Sequence, residues 1–88
     1  MYDVRVSTTF QSQFDDLTKD LQKRIRNALK ELEENPYRPR PGLDIKPLVG
    51  TVPPKHRLRI GRYRIVYLIE GNSVKVLEVF RRGRGYRE

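Results

Sequence analysis

A chain of 88 residues has room for one domain with one modest core, because a domain of this size buries only roughly 60 to 65% of the surface that its unfolded chain exposes. The absence of cysteine excludes a disulfide framework and a thiolate zinc site, and it favours a reducing cytoplasm. The first residues lack the apolar segment of a signal peptide, and nothing approaches the roughly 20 apolar residues of a membrane-spanning helix. We therefore expect a soluble, cytoplasmic protein without a membrane partner.

The charge of the chain is unbalanced and unevenly placed. There are 19 Lys and Arg against 11 Asp and Glu, which gives a formal net charge of +8. Such a balance suggests a polyanionic partner, although a well-solvated surface explains the total equally well. Position is more informative, because most acidic residues lie before residue 35 whereas arginine dominates the last third.

The first half of the chain predicts one strand and then two helices. Residues 2 to 7 alternate between apolar and polar side chains, which is the period of a half-buried strand. We favour two helices over one long helix, because Thr18-Lys19-Asp20 supplies both a break and a new N-cap; Ser7, Thr8 or Thr9 can cap the first. Asn35-Pro36 ends the second. The apolar residues recur at helical spacing: Phe10, Phe14, Leu17, Leu21, Ile25, Ala28, Leu29 and Leu32.

Prolines dominate the middle of the chain. They make residues 36 to 55 an extended connection, with at best a short strand around Leu43 to Leu48. Long connections in small domains are often functional, but a stiff surface crossing explains this one at least as well.

The second half predicts three consecutive strands. His56 to Ile60 alternates, Arg62 to Glu70 is rich in β-branched and aromatic residues, and Ser73 to Phe80 is a third apolar run after a tight turn at Gly71-Asn72. The order is then β-α-α-β-β-β. This is an α+β fold in which a helical hairpin packs on one face of a small antiparallel sheet.

Three arginines gather if Gly61-Arg62 is a two-residue hairpin turn, which glycine at the first position permits. Arg59 then lies directly opposite Arg64. Arg57, Arg59 and Arg64 share one sheet face, whereas the other face turns toward the helices and carries Leu58, Ile60, Tyr63 and Ile65.

Folding alone gives no reason for this cluster, because like charges directly across a sheet are destabilising. An anion gives a reason, since guanidinium offers a rigid fork of donors that matches phosphate oxygens. The alternative is that arginines on a strand face are ordinary and that edge strands carry charge against aggregation. We favour a nucleic-acid backbone, or a phosphate undergoing transfer, as the ligand.

The C-terminal tail adds Arg81, Arg82 and Arg84, with Tyr86 two residues after the last. A tyrosine ring can stack on a base, and its hydroxyl can hydrogen-bond or exchange a proton. A basic tail on its own is usually a solubilising end. This tail, however, continues a strand that is expected to end beside Arg64, and so it is a candidate part of the same site.

Residues 57 to 67 resemble the central signature of RelE-type toxins, in the RelE/ParE superfamily. In that signature, basic alternating sequence leads through glycine into Tyr-Arg and an apolar strand that ends in tyrosine. Leu48-Val49-Gly50, the helical hairpin and the arginine-rich tail agree with it. Residues 1 to 88 are thus identified as a single RelE-like toxin domain, on the sequence Arg57-Leu58-Arg59-Ile60-Gly61-Arg62-Tyr63-Arg64-Ile65-Val66-Tyr67.

The resemblance implies a toxin of a type II toxin-antitoxin system that enters the ribosomal A site and cuts mRNA without a metal or cofactor, which inhibits translation. The ribose 2′-hydroxyl attacks the adjacent phosphorus, and the enzyme neutralises the phosphorane and protonates the leaving 5′ oxygen. A RelB-like antitoxin is the implied protein partner. The residues assigned to catalysis are Arg64, Arg82, Arg84 and Tyr86, and those predicted to bind RNA are Arg57, Arg59, Arg62 and Arg81.

One departure from the family concerns the general base. Related toxins often carry lysine where this chain has Arg57 and Arg59, and arginine, with a pKa above roughly 12, is a poor base. Proton abstraction then falls to Tyr86, to His56 or to the ribosome. A lone histidine at the start of a strand is more often a surface residue than a catalytic one.

Two alternatives stay open at this point. The ParE branch of the same fold inhibits DNA gyrase by binding protein and cuts nothing. A non-catalytic RNA-binding module would contact RNA by charge alone. The arginine and tyrosine tail favours the nuclease, because a protein-binding module needs no phosphate-directed arginines beside a tyrosine.

Overall fold

The computed structural model describes residues 1–82. Within that part of the chain, neither helix is long and apolar enough to cross a membrane. The elements follow in the order β1 (Asp3–Val6), α1 (Thr8–Asp15), α2 (Lys19–Glu34), β2 (Asp44–Pro47), β3 (Lys55–Ile60), β4 (Tyr63–Glu70) and β5 (Ser73–Arg81).

Hydroxyl caps separate the two helices, as the sequence predicted. The Ser7 hydroxyl accepts from the Phe10 amide at 2.9 Å, and the Thr18 hydroxyl accepts from the Leu21 amide at 3.3 Å. These bonds satisfy amides that have no partner within their own helix. The helix α2 ends at Glu34, one residue before Asn35-Pro36, and the Arg40 guanidinium donates to the Glu31 carbonyl at 2.7 Å.

The predicted α+β fold class is confirmed, with two differences in the sheet. The five strands lie in the order β1-β5-β4-β3-β2, so β2 adds a fifth strand within the proline-rich connection. Three of the four pairings are antiparallel, but β1 pairs with β5 in parallel, and the sheet is mixed rather than purely antiparallel. Pro47 is compatible with β2 because β2 is an edge strand, where a missing amide donor costs no ladder bond.

Both helices cover one face of the sheet, and the core lies between them. The helix residues that reach it are Phe10, Ile25, Ala28 and Leu32, all buried. The strands contribute Leu58, Ile60, Ile65, Tyr67, Val74, Val76 and Val79. A bulge in β5 makes this possible: Val66 pairs with Glu78 and Tyr67 with Val76, so Leu77 is an extra residue. The bulge shifts the alternation and lets both Val76 and Val79 face the core.

Candidate nucleic-acid interface

The β3–β4 hairpin has the register that the sequence predicted. Ile60 pairs with Tyr63 and Arg59 with Arg64, which leaves Gly61 and Arg62 as the two-residue turn. Gly61 has a φ of +57°, a backbone conformation that side chains with a Cβ disfavour. Arg57, Arg59 and Arg64 therefore lie together on the sheet face opposite the helices. We call these three residues the arginine face.

Asp44, a residue that the sequence analysis missed, holds part of the arginine face. It lies on β2 opposite Arg59, and its carboxylate approaches Arg57 Nη1 at 3.2 Å and Arg59 Nη1 at 3.8 Å. Its backbone carbonyl accepts a further bond from Arg57 Nη1 at 3.1 Å. The premise that folding gives no reason for the cluster is therefore wrong for Arg57 and Arg59, because an acid offsets their repulsion. The only signal in the sequence was an acidic residue within the weak strand near Leu43.

The three arginines differ in their exposure. Arg57 is 6% exposed and Arg64 is 7% exposed, whereas the side chain of Arg59 is 33% exposed. Arg59 is consequently the member that a ligand meets first. Charge interactions with the two buried guanidinium groups are less screened by water than interactions at an open surface.

A cavity of about 590 Å³ adjoins Arg59 at the β2–β3 edge of the sheet. Its wall combines Arg24 of α2 with Asp44, Arg59 and the turn at Pro41 and Gly42. The opening joins the arginine face to the side of α2, so a ligand that contacts Arg59 can extend along this edge.

The strand β5 ends beside the Gly61-Arg62 turn. Phe80 pairs with Arg64, and the Arg82 amide donates to the Arg62 carbonyl at 2.6 Å. Arg62 and Arg82 are both exposed at this end of the sheet. Arg81 pairs with Tyr63, so the alternation directs it to the helix side, away from Arg64. Arg84 and Tyr86, the other two predicted tail residues, lie outside the described residues.

His56 lies on the helix side of the sheet. Its ring stacks on Tyr67 with centroids 5.6 Å apart, and the ring of Tyr37 meets it edge-on at 5.8 Å. Burial lowers the pKa of His56 and raises that of Tyr67, whose hydroxyl donates to the Pro36 carbonyl at 2.7 Å. The sheet thus separates His56 from the arginine face, and this geometry gives no support to His56 as a base there.

Metal ligands do not cluster in the described part of the chain. Across residues 1–82, no three His, Cys, Asp or Glu side chains come together as a group that could hold a metal ion.

Comparison with known proteins gives one family and a consistent set of folds. The model of the ParE toxin of type II toxin-antitoxin systems (parDE) matches residues 4–86. No curated protein sequence matches the chain. The structure is similar to a chain of the archaeal RelE–RelB complex from Pyrococcus horikoshii OT3, with 29% identity, a TM-score of 0.82, and coverage of 96% of this chain and 98% of that one.

Two further solved structures agree. A chain of the toxin–antitoxin complex RelBE2 from Mycobacterium tuberculosis is 26% identical, with a TM-score of 0.77 over 92% of this chain and 98% of that one. The isolated E. coli RelE toxin has a TM-score of 0.77 at 20% identity, over 97% of this chain and 88% of that one, which establishes a shared fold only.

Proposed function

The chain belongs to the ParE toxin family of type II toxin-antitoxin systems, and from this premise we propose that it is a RelE-like toxin that cuts messenger RNA on the ribosome. The observation that carries the proposal is the arginine face, where Arg59 lies directly opposite Arg64. The likeness to the archaeal RelE–RelB complex over nearly the whole chain supports it. An endoribonuclease needs cations at the scissile phosphate, whereas an inhibitor that only binds protein does not.

The proposed reaction is a transesterification within the message. The ribose 2′-oxygen forms a bond to the adjacent phosphorus, and the bond from phosphorus to the 5′ oxygen breaks. The pentacoordinate intermediate gains negative charge, and fixed guanidinium groups stabilise such charge without reorganising. In this proposal Arg64 neutralises the phosphorane, while Arg57 and Arg59 orient the RNA backbone.

Asp44 has a positioning role in this proposal. Its contacts with Arg57 and Arg59 hold two long, flexible side chains in one geometry before RNA arrives. A site ordered in advance loses less conformational entropy on binding. The same carboxylate repels phosphate, so the arrangement combines fixed geometry with a modest cost in affinity.

Proton transfer is assigned to residues outside the arginine face. Arginine does not lose its proton in the physiological range, and His56 lies on the far side of the sheet. Tyr86 is therefore the proposed group for proton transfer, and Arg82 or Arg84 is proposed to neutralise the charge at the leaving oxygen. The ribosome is the alternative source of a base.

The proposed protein partner is a RelB-like antitoxin. The similar structures include a RelE–RelB complex from Pyrococcus horikoshii and the toxin–antitoxin complex RelBE2 from Mycobacterium tuberculosis. An antitoxin that silences this toxin would bury part of the arginine face, through an amphipathic helix or an added strand. The proposed compartment is the cytoplasm, where ribosomes translate.

Inhibition of DNA gyrase is the second candidate. Two observations favour it: the matching family model is that of the ParE toxin, and two members of the arginine face are largely buried. In that case the arginines and Asp44 would stabilise the sheet, and the chain would act by binding protein.

A toeprint of purified protein on programmed 70S ribosomes separates these candidates. The proposal expects cleavage of the message only with ribosomes, with loss of cleavage in Arg64→Ala and a strong reduction in Arg59→Ala. Arg59 is the safer probe of charge, because it is partly exposed and its removal leaves no hole in a packed region. Arg5→Ala is the matched control and should cut normally, because Arg5 is an exposed arginine on β1, at the opposite edge of the sheet from β2.

The outcomes that contradict the endonuclease are distinct. Binding to the ribosome without cleavage would favour the non-catalytic RNA-binding module. No cleavage and no binding, together with inhibition of gyrase supercoiling by the same protein, would favour the ParE-like activity.

A further inference from the structure

Four cations lie in a line along the side of α2 that faces away from the sheet. They are Lys19, Lys23, Arg26 and Lys30, which we call the basic stripe. All four are exposed, and their spacing of four, three and four residues keeps them on one side of the helix. The stripe is about 16 Å long, at roughly 1.5 Å of helix per residue. The buried residues Ile25 and Leu32 occupy the opposite side of the same helix.

Within residues 1–82, no ion pair neutralises the charge of the basic stripe. The ion pairs formed among residues 1–82 involve other cations, and none of them includes a member of the stripe. Arg26 is oriented by an aromatic contact instead, since its guanidinium carbon lies 5.7 Å from the ring centre of Phe14. The three lysines of the stripe are therefore exposed cations, and they flank Arg26, which packs on Phe14.

Helix stability does not explain the basic stripe. Like charges three and four residues apart repel on a helix, and the stripe contains three such neighbouring pairs. The macrodipole favours cations near the C-terminus of a helix and acids near its N-terminus. The last turn of α2 carries Glu31, Glu33 and Glu34 with no basic residue, and its first turn carries Lys19 beside Asp20. The charges at the C-terminal end of α2 thus run against the dipole, so the dipole gives no reason for the basic stripe.

We propose that the basic stripe binds the phosphate backbone of structured RNA. The inference rests on the proposed function, and it adds a second RNA contact on the opposite side of the molecule. The arginine face and α2 lie on the two sides of one sheet. The protein would therefore be held between two RNA segments, with the cleaved strand on the arginine face and a second, folded segment across α2.

The partner of the stripe is RNA rather than a membrane surface because of where the apolar side of α2 lies. Helices that lie on membranes insert an apolar side next to their basic residues. In α2 that side is packed into the core, with Ile25 and Leu32 fully buried. The exposed residues of α2 are polar or charged and include the basic stripe but no large apolar side chain, which suits an RNA backbone read by shape and charge.

Fluorescence anisotropy with a labelled RNA hairpin duplex tests the proposal. The stripe variant is Lys19→Gln, Lys23→Gln and Lys30→Gln, which leaves Arg26 on Phe14. Glutamine and lysine have similar helix propensities, and circular dichroism would verify that α2 is kept. The matched control, Arg5→Gln, Arg38→Gln and Lys75→Gln, removes the same charge from exposed positions elsewhere.

The expected result is a change in salt dependence that only the stripe variant shows. Each phosphate contact contributes about −0.9 to the slope of log K against log salt, so the slope should become shallower by about 2.7. With all four stripe contacts, the wild type should lose about 100-fold in affinity between 50 and 200 mM salt. The stripe variant, which keeps only the Arg26 contact, should lose about 3-fold over the same range. The control variant and Arg64→Ala should keep the wild-type slope to within about 0.9, the contribution of one phosphate contact.

Three results would overturn the proposal. The first is a stripe variant with unchanged affinity and slope. The second is an equal loss in the control variant, which would attribute binding to total charge. The third is binding of the stripe to phosphatidylserine vesicles with none to the duplex, which would indicate a membrane partner. Duplex binding requires no cleavage, so failure of the endonuclease assay would be seen separately from failure of this test.

Discussion

Replacing Asp44 by asparagine should change stability and RNA affinity in opposite directions. Asp44 is the one acid that contacts both Arg57 and Arg59 among residues 1–82, at 3.2 and 3.8 Å. Breaking a buried pair costs about 3–5 kcal/mol, and breaking an exposed pair costs about 0–1. Because Arg57 is 7% exposed in its side chain but Asp44 is 55% exposed, we expect a loss of about 1–2 kcal/mol in the free energy of unfolding.

The same substitution removes a negative charge from beside the proposed phosphate site. A phosphate bound to Arg59 would lie about 7 Å from the carboxylate, where repulsion is about 0.6 kcal/mol at the dielectric constant of water and about 2.4 kcal/mol at 20. Affinity for RNA should therefore rise by between about 3-fold and 50-fold. The position at the edge strand β2, open to water, favours the lower part of that range.

Two measurements check this prediction. Thermal unfolding followed by circular dichroism should show a midpoint lower by about 4–16 °C, at roughly 4–8 °C per kcal/mol for a domain of this size. Anisotropy with a labelled single-stranded RNA, carrying 2′-deoxy sugars so that it is not cut, should show tighter binding. Asp3→Asn is the matched control: its ion pair with Arg5 is exposed and lies on β1, at the opposite edge of the sheet. A variant that is as stable as wild type and binds RNA no better would refute the reasoning.

Three further predictions concern the fold. Tyr67→Phe should cost about 1–3 kcal/mol in urea unfolding, because it leaves the Pro36 carbonyl without its 2.7 Å donor, whereas the half-buried Tyr63→Phe should cost far less. Burial lowers the pKa of His56 below its ordinary value of 6.5, so the unfolded chain takes up a proton at a higher pH than the folded chain does. The contribution of His56 to the free energy of unfolding should therefore be fully present above pH 6.5 and fall as the pH drops below that value. His56→Phe should remove that part of the pH dependence in unfolding titrations, and an unchanged profile would assign it to other groups. Gly61 has a φ of +57°, so Gly61→Ala should strain the turn by about 1 kcal/mol or more and lower the unfolding midpoint. An unshifted midpoint would show that the turn adapts.

Local signals in the sequence predicted most of the fold. The hydroxyls of Ser7 and Thr18 mark helix starts because they bond amides only two or three residues ahead. Gly61 fixed the register of the β3–β4 hairpin, because a two-residue turn leaves one way to pair the flanking strands. Such features involve neighbours in the chain, and short-range rules suffice for them.

The features that the sequence did not reveal depend on pairing between distant residues. The contacts of Asp44 require the β2–β3 register, which a loop of several residues leaves undetermined. The parallel pairing of β1 with β5 joins residues about 70 positions apart, and no local pattern encodes it. His56 is different, because its alternation with Leu58 and Ile60 already indicated the helix side.

The position of β5 between β1 and β4 has a consequence for how the protein is made. Val6 finds its partner only when Val76 has been synthesised, and Arg64 has Phe80 beside it only a few residues later. Translation that stops before residue 73 therefore yields a chain with an unpaired first strand and an open edge on β4, the strand that carries Arg64. Arg57, Arg59 and Arg64 lie on β3 and β4, but the sheet that carries the arginine face is complete only after β5 has been synthesised and has paired with both β1 and β4.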